Sequence, residues 1–189
     1  SWGIHFANLF PISFMSSHSP STQQHRAQAP DSVLCAVLVV SDTRTLQTDK
    51  GGLLIEELLE NHGHAVASRQ IVRDDEFRIR DAVEVAQRGD AEVVIVTGGS
   101  GIGARDCTPE ALRPLLTKEM PGFGEVFRVL SFSEVGAATM LSRAFAGVMG
   151  RTLLFVLPGS TNAVKLAMEK LILPELGHLV REVRPERRK

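Results

Sequence analysis

The chain has 189 residues, 43% of them hydrophobic and 23% charged, with a formal net charge of -1, the size and balance of one soluble globular domain. So small a net charge excludes a bulk field that would recruit nucleic acid or an anionic membrane, and an anionic ligand would have to be held by local groups. Two cysteines, Cys35 and Cys107, with no CxxC pair, argue against a disulfide scaffold or zinc site and fit a reducing cytoplasm; no apolar run approaches the roughly 20 residues of a membrane span.

Residues 1–14 are apolar but lack the basic n-region and small-residue cleavage site of a signal peptide. A Ser-, Gln- and His-rich stretch follows from Met15, the expected natural start. With so few apolar groups to offset ordering entropy, residues 1–32 read as a flexible leader.

From Val33 the pattern changes. Residues 33–40 form a continuous Val-rich run, as in a strand buried on both faces. Residues 51–62 carry Leu54, Ile55, Leu58 and Leu59 at helical spacing, closed by Gly63. Residues 65–72 read as a second strand. Phe77, Ile79, Ala82, Val83 and Ala86 mark a second helix ending at Gly89, and residues 91–97 read as a third buried strand. This alternation predicts right-handed crossovers and a three-layer α/β/α sandwich around a mostly parallel sheet. Short helices are expected at 108–116, with Thr108 as cap, and at 122–132. Strands at 144–149 and 152–157 meet as a hairpin around Gly150, making the sheet mixed. Helical residues 162–183 should be kinked or divided by Pro174. The domain is therefore bounded at 33–183, and residues 184–189 continue a basic run from Arg181 as a solvated tail.

In open α/β sheets ligands bind beyond the carboxyl ends of the strands. Four segments of unusual composition fall there: Ser41-Asp42-Thr43-Arg44, Arg73-Asp74-Asp75-Glu76, residues 97–106, and Leu157-Pro158-Gly159-Ser160. Within the third, Thr97-Gly98-Gly99-Ser100-Gly101 suits an anion, because glycines let backbone N–H groups approach phosphate and the hydroxyls add donors. A tight strand-to-helix turn explains the glycines equally well. Residues 99–104 match GxGxxA, but Arg105-Asp106-Cys107-Thr108-Pro109 interrupts the entry into a crossover helix, so the dinucleotide reading is weak. No GxxxxGK[ST] is present, and Ser100 is not in a GxSxG elbow. Asp106, beside the glycine loop, and Asp74, after the second strand, are candidate carboxylates for Mg²⁺ at a phosphate site; capping or solvated-turn roles are the alternatives. His62 and His64 fit a surface turn, His178 a partly buried structural position, and Met120, Met140, Met149 and Met168 core filling.

The motifs occur in an order that resembles the MoaB/MogA family and the G domains of gephyrin and plant molybdenum-insertion proteins: Ser41-Asp42-Thr43, Asp49-Lys50-Gly51, Arg73-Asp74-Asp75, Thr97-Gly98-Gly99-Ser100-Gly101 continuing through Arg105-Asp106 to Thr108-Pro109-Glu110, Met120-Pro121-Gly122-Phe123-Gly124-Glu125, Leu141-Ser142-Arg143 and Leu157-Pro158-Gly159-Ser160. The run from Thr97 to Glu110, with the MPGFGE segment, carries most of it. The resemblance implies a molybdopterin-binding fold whose active members adenylylate molybdopterin with Mg²⁺ and ATP, releasing pyrophosphate. By position, Asp74 and Asp106 would be catalytic and bind the metal. Thr97, Gly98, Gly99, Ser100 and Gly101 with Pro158, Gly159 and Ser160 would cradle phosphates and pterin. Ser41 and Asp42 would line the nucleotide side, and Ser142 and Arg143 the pterin pocket, with a salt bridge the alternative for Arg143. The resemblance also implies a homotrimer or homohexamer, with other molybdenum-cofactor enzymes as further partners. A non-catalytic pterin carrier is the second reading. A CinA-type nucleotide hydrolase is the third, disfavoured for want of a second domain.

Overall fold

A computed structural model describes residues 32–187; the expectations for residues 1–31 of the leader and for residues 188–189 of the tail lie outside them. Two strand–helix pairs and a third strand open the fold: β1 (Leu34–Val40), α1 (Lys50–Asn61), β2 (Ala65–Val72), α2 (Glu76–Arg88) and β3 (Val93–Thr97). The chain continues through α3 (Thr108–Leu112), a two-residue β4 (Lys118–Glu119), α4 (Pro121–Val135), and the hairpin of β5 (Phe145–Met149) and β6 (Thr152–Leu157). It closes with α5 (Thr161–Ala167) and α6 (Leu173–Val183).

The six strands form one sheet in the order β2-β1-β3-β6-β5-β4. Strands β2, β1, β3 and β6 are parallel, and β5 and β4 are added antiparallel, so the sheet is mixed as expected. Side chains alternate between the two faces of a strand, and β1, β3, β5 and β6 are buried on both. On one side Cys35, Val37, Ile95 and Phe155 pack against α1, α4, α5 and α6. On the other, Leu38, Val96, Leu154 and Val156 pack against α2 and α3. The result is the three-layer α/β/α sandwich that the βαβαβ pattern demands.

Several boundaries differ from expectation for local reasons. Thr108 is the first residue of α3 and not its cap: Cys107 stands at the cap, and the Thr108 hydroxyl donates instead to Gly98 O at 2.9 Å. Helix α4 continues past Phe132 to Val135 and passes into a 3₁₀ segment, Gly136–Leu141. Strand β4 is too short and polar to carry a periodic signal; the hydrogen bonds of Thr117 and Met120 to Val148 and Ala146 hold it on the edge. Between α5 and α6 the chain widens into a π-helical turn, Met168–Ile172, just before Pro174. Proline lacks the N–H a continuous helix would use, and the wider turn absorbs that loss.

Three side-chain expectations need correction. Met140 lies on the surface rather than in the core, and Phe77 faces out of α2. The basic run is not free in solution: Arg181 is buried, Arg184 donates to Arg151 O at 2.9 Å, and Arg187 pairs with Glu92 at 2.9 Å. Among the described residues no helix is long and apolar enough to cross a membrane.

Candidate functional site

Strands β2, β1, β3 and β6 are neighbours with a common direction, so the segments leaving their carboxyl ends are delivered side by side. The order reverses between β1, whose chain continues to β2, and β3 on its other flank; such a switch point opens a crevice between the outgoing loops. A cleft of about 830 Å³ lies there. It is lined by Ser41, Asp42 and Arg44 after β1, Asp74 after β2, Gly98 to Gly101 with Arg105 and Asp106 after β3, and Pro158, Gly159 and Ser160 after β6. All four segments singled out in the sequence therefore reach one site.

The glycine loop takes a shape open to few residues. Gly98 and Gly99 have φ of +99° and +60°, a left-handed region that costs an L side chain steric strain. A Cβ on Gly98 would lie 2.3 Å from Val40 O, and one on Gly99 would lie 2.4 Å from Thr108 Oγ1 and 2.9 Å from Asp74 Oδ1. Thr108 fastens the turn from behind, its hydroxyl to Gly98 O and its N–H to Gly99 O at 2.9 Å. Among the described residues, the N–H groups of Gly99, Ser100 and Gly101 have no protein acceptor. A polar backbone surface without internal partners, at the rim of a cleft, is the arrangement that receives anions.

The hydroxyls expected at the cradle, and that of Ser41 expected on the nucleotide side, make hydrogen bonds within the protein. Thr97 is fully buried, outside the cleft lining, and donates to Pro158 O at 3.0 Å; Ser100 Oγ lies 3.5 Å from Leu157 O. Together with Gly98 N–H to Leu157 O at 3.2 Å, they stitch the β3 loop to the β6 loop. Ser41 Oγ accepts from the N–H groups of Thr43 and Arg44, closing the turn after β1. Ser160 Oγ caps α5 by accepting from Ala163 N–H at 3.3 Å.

The two aspartates stand at the same loop. Asp74 Oδ1 accepts from the N–H and the thiol of Cys107, each at 3.2 Å, and Asp74 N–H donates to Asp42 Oδ1 at 3.3 Å. Asp106 Oδ2 accepts from Gly103 N–H at 2.8 Å. One carboxylate touches the Cβ position of Gly99 and the other, at 2.7 Å, that of Gly101. These glycines are two residues apart, at most about 7 Å along the chain. Burial first, then the hydrogen bond to Asp74, pushes the Cys107 thiol up to about 12, so it remains a protonated donor.

Ser142 borders the cleft, but Arg143 does not. Its guanidinium turns to the back of the glycine loop, reaching Ser100 O, Asp106 O and the Glu110 carboxylate. The salt-bridge alternative for this residue is thus present in the structure.

Several contributors were not singled out from sequence. Arg44, inside a segment that was, supplies a cation at the cleft and is held by Gly159 O at 3.2 Å. Asp49 had a place in the Asp49-Lys50-Gly51 motif but no assigned role: it is buried, caps α1 by accepting from Gly52 N–H at 2.9 Å, and pairs with Arg69 at 3.1 Å. The far wall of the cleft, with Phe127, Ser131, Glu134 and Thr139, comes from the part of α4 and the 3₁₀ segment that no motif marks. Among the described residues no three His, Cys, Asp or Glu side chains gather as a metal cage; His62 sits in an exposed turn, its Nδ1 2.8 Å from Leu58 O.

Residues 36–178 match the family model described as "Probable molybdopterin binding domain". The chain is 53% identical over 169 residues to molybdenum cofactor biosynthesis protein B of Halalkalibacterium halodurans, covering 88% of this chain and 99% of that protein. With the same-named protein of Bacillus subtilis it shares 49% over 169 residues, 88% and 99% of the two chains. A crystal structure of molybdenum cofactor biosynthesis protein B superposes with a TM-score of 0.80 at 51% identity, over 84% of this chain and 99% of that one. The tungsten cofactor synthesizing protein MoaB from Pyrococcus furiosus does so with 0.75 at 41% identity, over 82% and 99%. On the match to the family model and on these relatives, the chain belongs to the MoaB/MogA family of molybdopterin-binding-domain proteins.

Proposed function

We propose that the protein acts in molybdenum cofactor biosynthesis by binding molybdopterin and adenylylating its terminal phosphate with ATP. The observation that carries this reading is the juxtaposition of a glycine loop with free N–H groups and two carboxylates, Asp74 and Asp106, at one cleft. Relatives named for molybdenum cofactor biosynthesis support the pathway, and the donors lining the cleft suit the reaction.

The donor set fits Mg²⁺. This ion usually takes one or two carboxylates and completes its shell with water and substrate phosphates, so it needs no all-protein cage. Among the described residues, Asp74 Oδ2 and Asp106 Oδ1 carry no hydrogen bond to the protein, and each could face such an ion. When bound, it supplies positive charge against the polyphosphate and the charge that develops on the departing pyrophosphate.

The chain's own groups would bind and orient. The N–H groups of Gly99, Ser100 and Gly101 would hold phosphate oxygens, and Arg44, anchored on Gly159 O, would offset part of the nucleotide's charge. An oxygen of the pterin phosphate forms the new bond to the α-phosphorus of ATP. The bond from that phosphorus to the bridging oxygen breaks, and its electron pair leaves with pyrophosphate. The attacking phosphate is already ionised at neutral pH, so no general base is required; positioning and electrostatics provide the catalysis.

Assembly into a homo-oligomer belongs to the same proposal. Helix α4 and the following segment expose Val126, Val129, Phe132, Val135, Met140 and Leu141, a run of large apolar groups of the kind that marks an interface. Phe145, Ala146 and Met149 are buried in β5 and leave no comparable apolar surface there.

The test is to incubate the purified protein with molybdopterin, ATP and Mg²⁺ and follow adenylylated pterin and pyrophosphate. Turnover is expected in wild type and should collapse in Asp106→Ala. Unchanged product in that variant would overturn the role of Asp106. Pterin binding without turnover, beside a competent adenylyltransferase as control, would replace this reading by that of a carrier.

A further inference from the structure

We infer that Arg143 is a positioning residue of this site: its guanidinium holds two peptide units of the glycine loop so that the N–H end of each faces the cleft or its aspartate. The contacts come from three different nitrogens. Nε donates to Ser100 O at 3.3 Å, Nη2 donates to Asp106 O at 3.0 Å, and Nη1 pairs with Glu110. Arg143 therefore spans both ends of the segment that carries the free amides and Asp106.

In a trans peptide the C=O and N–H point in opposite directions, and the chain has no cis bond among its described residues. With Ser100 C=O turned to Arg143, the N–H of Gly101 in the same peptide points away from it, and Gly101 borders the cleft. With Asp106 C=O turned to Arg143, the N–H of Cys107 points away as well, and that N–H donates to Asp74 Oδ1 at 3.2 Å. A continuous chain of polar contacts thus runs from the Glu110 carboxylate through the guanidinium and the 106–107 peptide to Asp74. Hydrogen bonds to a charged donor are the stronger kind, and linked bonds polarise one another. The guanidinium draws electron density toward the two carbonyls and sharpens both N–H donors. Glu110, from the first turn of α3, holds the guanidinium from the outer side. Lysine, with a single nitrogen, cannot make three contacts in a planar fork.

The effect on rate rests on the adenylyl-transfer reading; the effect on the loop does not. In Arg143→Lys and Arg143→Gln, the ¹H–¹⁵N resonances of Gly101 and Cys107 are expected to move, with thermal unfolding checking the fold. The value of kcat should fall about 10- to 100-fold, with the KM values for ATP and pterin unchanged. Guanidinium added to Arg143→Ala should restore the two resonances and part of the rate. Glu110→Gln, on the surface, should move the same resonances in the same direction by less. Resonances that stay in place in folded variants at both positions would overturn the inference. So would a raised KM for pterin with kcat intact, which would make Arg143 a ligand. A wild-type protein without turnover would remove the adenylyl-transfer reading while the resonances still decide this one.

Discussion

The thiol and the amide of Cys107 converge on one oxygen, Asp74 Oδ1, at 3.2 Å each. Two donors on one carboxylate oxygen fix the plane of the group and leave the other oxygen for the cleft. Burial, followed by this hydrogen bond and the nearby charges of Asp74, Glu76 and Asp75, pushes the Cys107 thiol up to about 12. Thiolate, not thiol, reacts with electrophiles, and each unit of pKa changes its fraction about tenfold well below the pKa. Native Cys107 should therefore react slowly with iodoacetamide at pH 8, and Asp74→Asn, which removes the carboxylate, should speed the reaction. Peptide mapping of the alkylated protein measures this; equal rates in the two proteins would show that Asp74 does not govern the thiol.

Two glycines of the loop should separate stability from activity. At Gly98 the backbone is left-handed and an added Cβ would meet a backbone oxygen, Val40 O, at 2.3 Å. Gly98→Ala is expected to cost on the order of 2 kcal/mol or more in urea unfolding. At Gly101 the atoms nearest an added Cβ belong to the Asp106 carboxylate, at 2.7 Å, which can swing aside. Gly101→Ala should unfold near the wild-type midpoint yet lose most adenylylation, because the displaced group is one of the two carboxylates. Equal losses of stability in both variants would contradict the assignment of the clash at Gly101 to a movable side chain.

The apolar surface of α4 should be covered in solution. Val129 and Phe132, 72% and 61% exposed in the single chain, lie three residues apart and so on neighbouring positions of the helix. A charge at either would be buried without a partner on assembly, at a cost of several kcal/mol. Val129→Asp and Phe132→Asp should therefore shift the mass measured by light scattering from a multiple of the chain toward the monomer. A wild-type protein that is monomeric at micromolar concentration would remove the expectation.

How much of this was legible in sequence depended on the range of the signal. The strands β1, β3 and β6 are buried on both faces, so their Val- and Leu-rich runs announced themselves, and the parallel sheet followed from the alternation with helices. That rule also brought four loops to one end, where Asp42, Asp74, Asp106 and Ser160 do lie together. What a short-range reading missed was partner choice. The hydroxyls of Thr97 and Ser100 look like ligand donors in a TGGSG string, but the neighbouring β6 loop supplies carbonyls that take them. Thr108 reads as a cap, yet the loop ten residues upstream offers its hydroxyl an acceptor, Gly98 O. The role of Arg143 depends on a contact 43 residues away in sequence, which no local spacing encodes.

Cys35 provides a pH test of the core. Its thiol is fully buried on β1 with Val33 O as acceptor at 3.8 Å, and burial, then the charge of Glu92, pushes it up to about 12 from an ordinary value of 9.0. The folded protein therefore holds this proton more tightly than the unfolded chain. The contribution is fully present below about pH 9. It is lost as pH rises from there through 12, because the unfolded thiol ionises first and draws the equilibrium toward unfolding. One such group changes stability by at most about 1.4 kcal/mol per pH unit in that window. Urea unfolding between pH 8 and 11 should show stability falling above pH 9 in wild type and falling less steeply in Cys35→Ala, whatever the variant loses at neutral pH by vacating the space. Cys107 titrates in both proteins and leaves the comparison intact. Parallel slopes in the two proteins would mean that the Cys35 thiol ionises as readily inside the sheet as outside it.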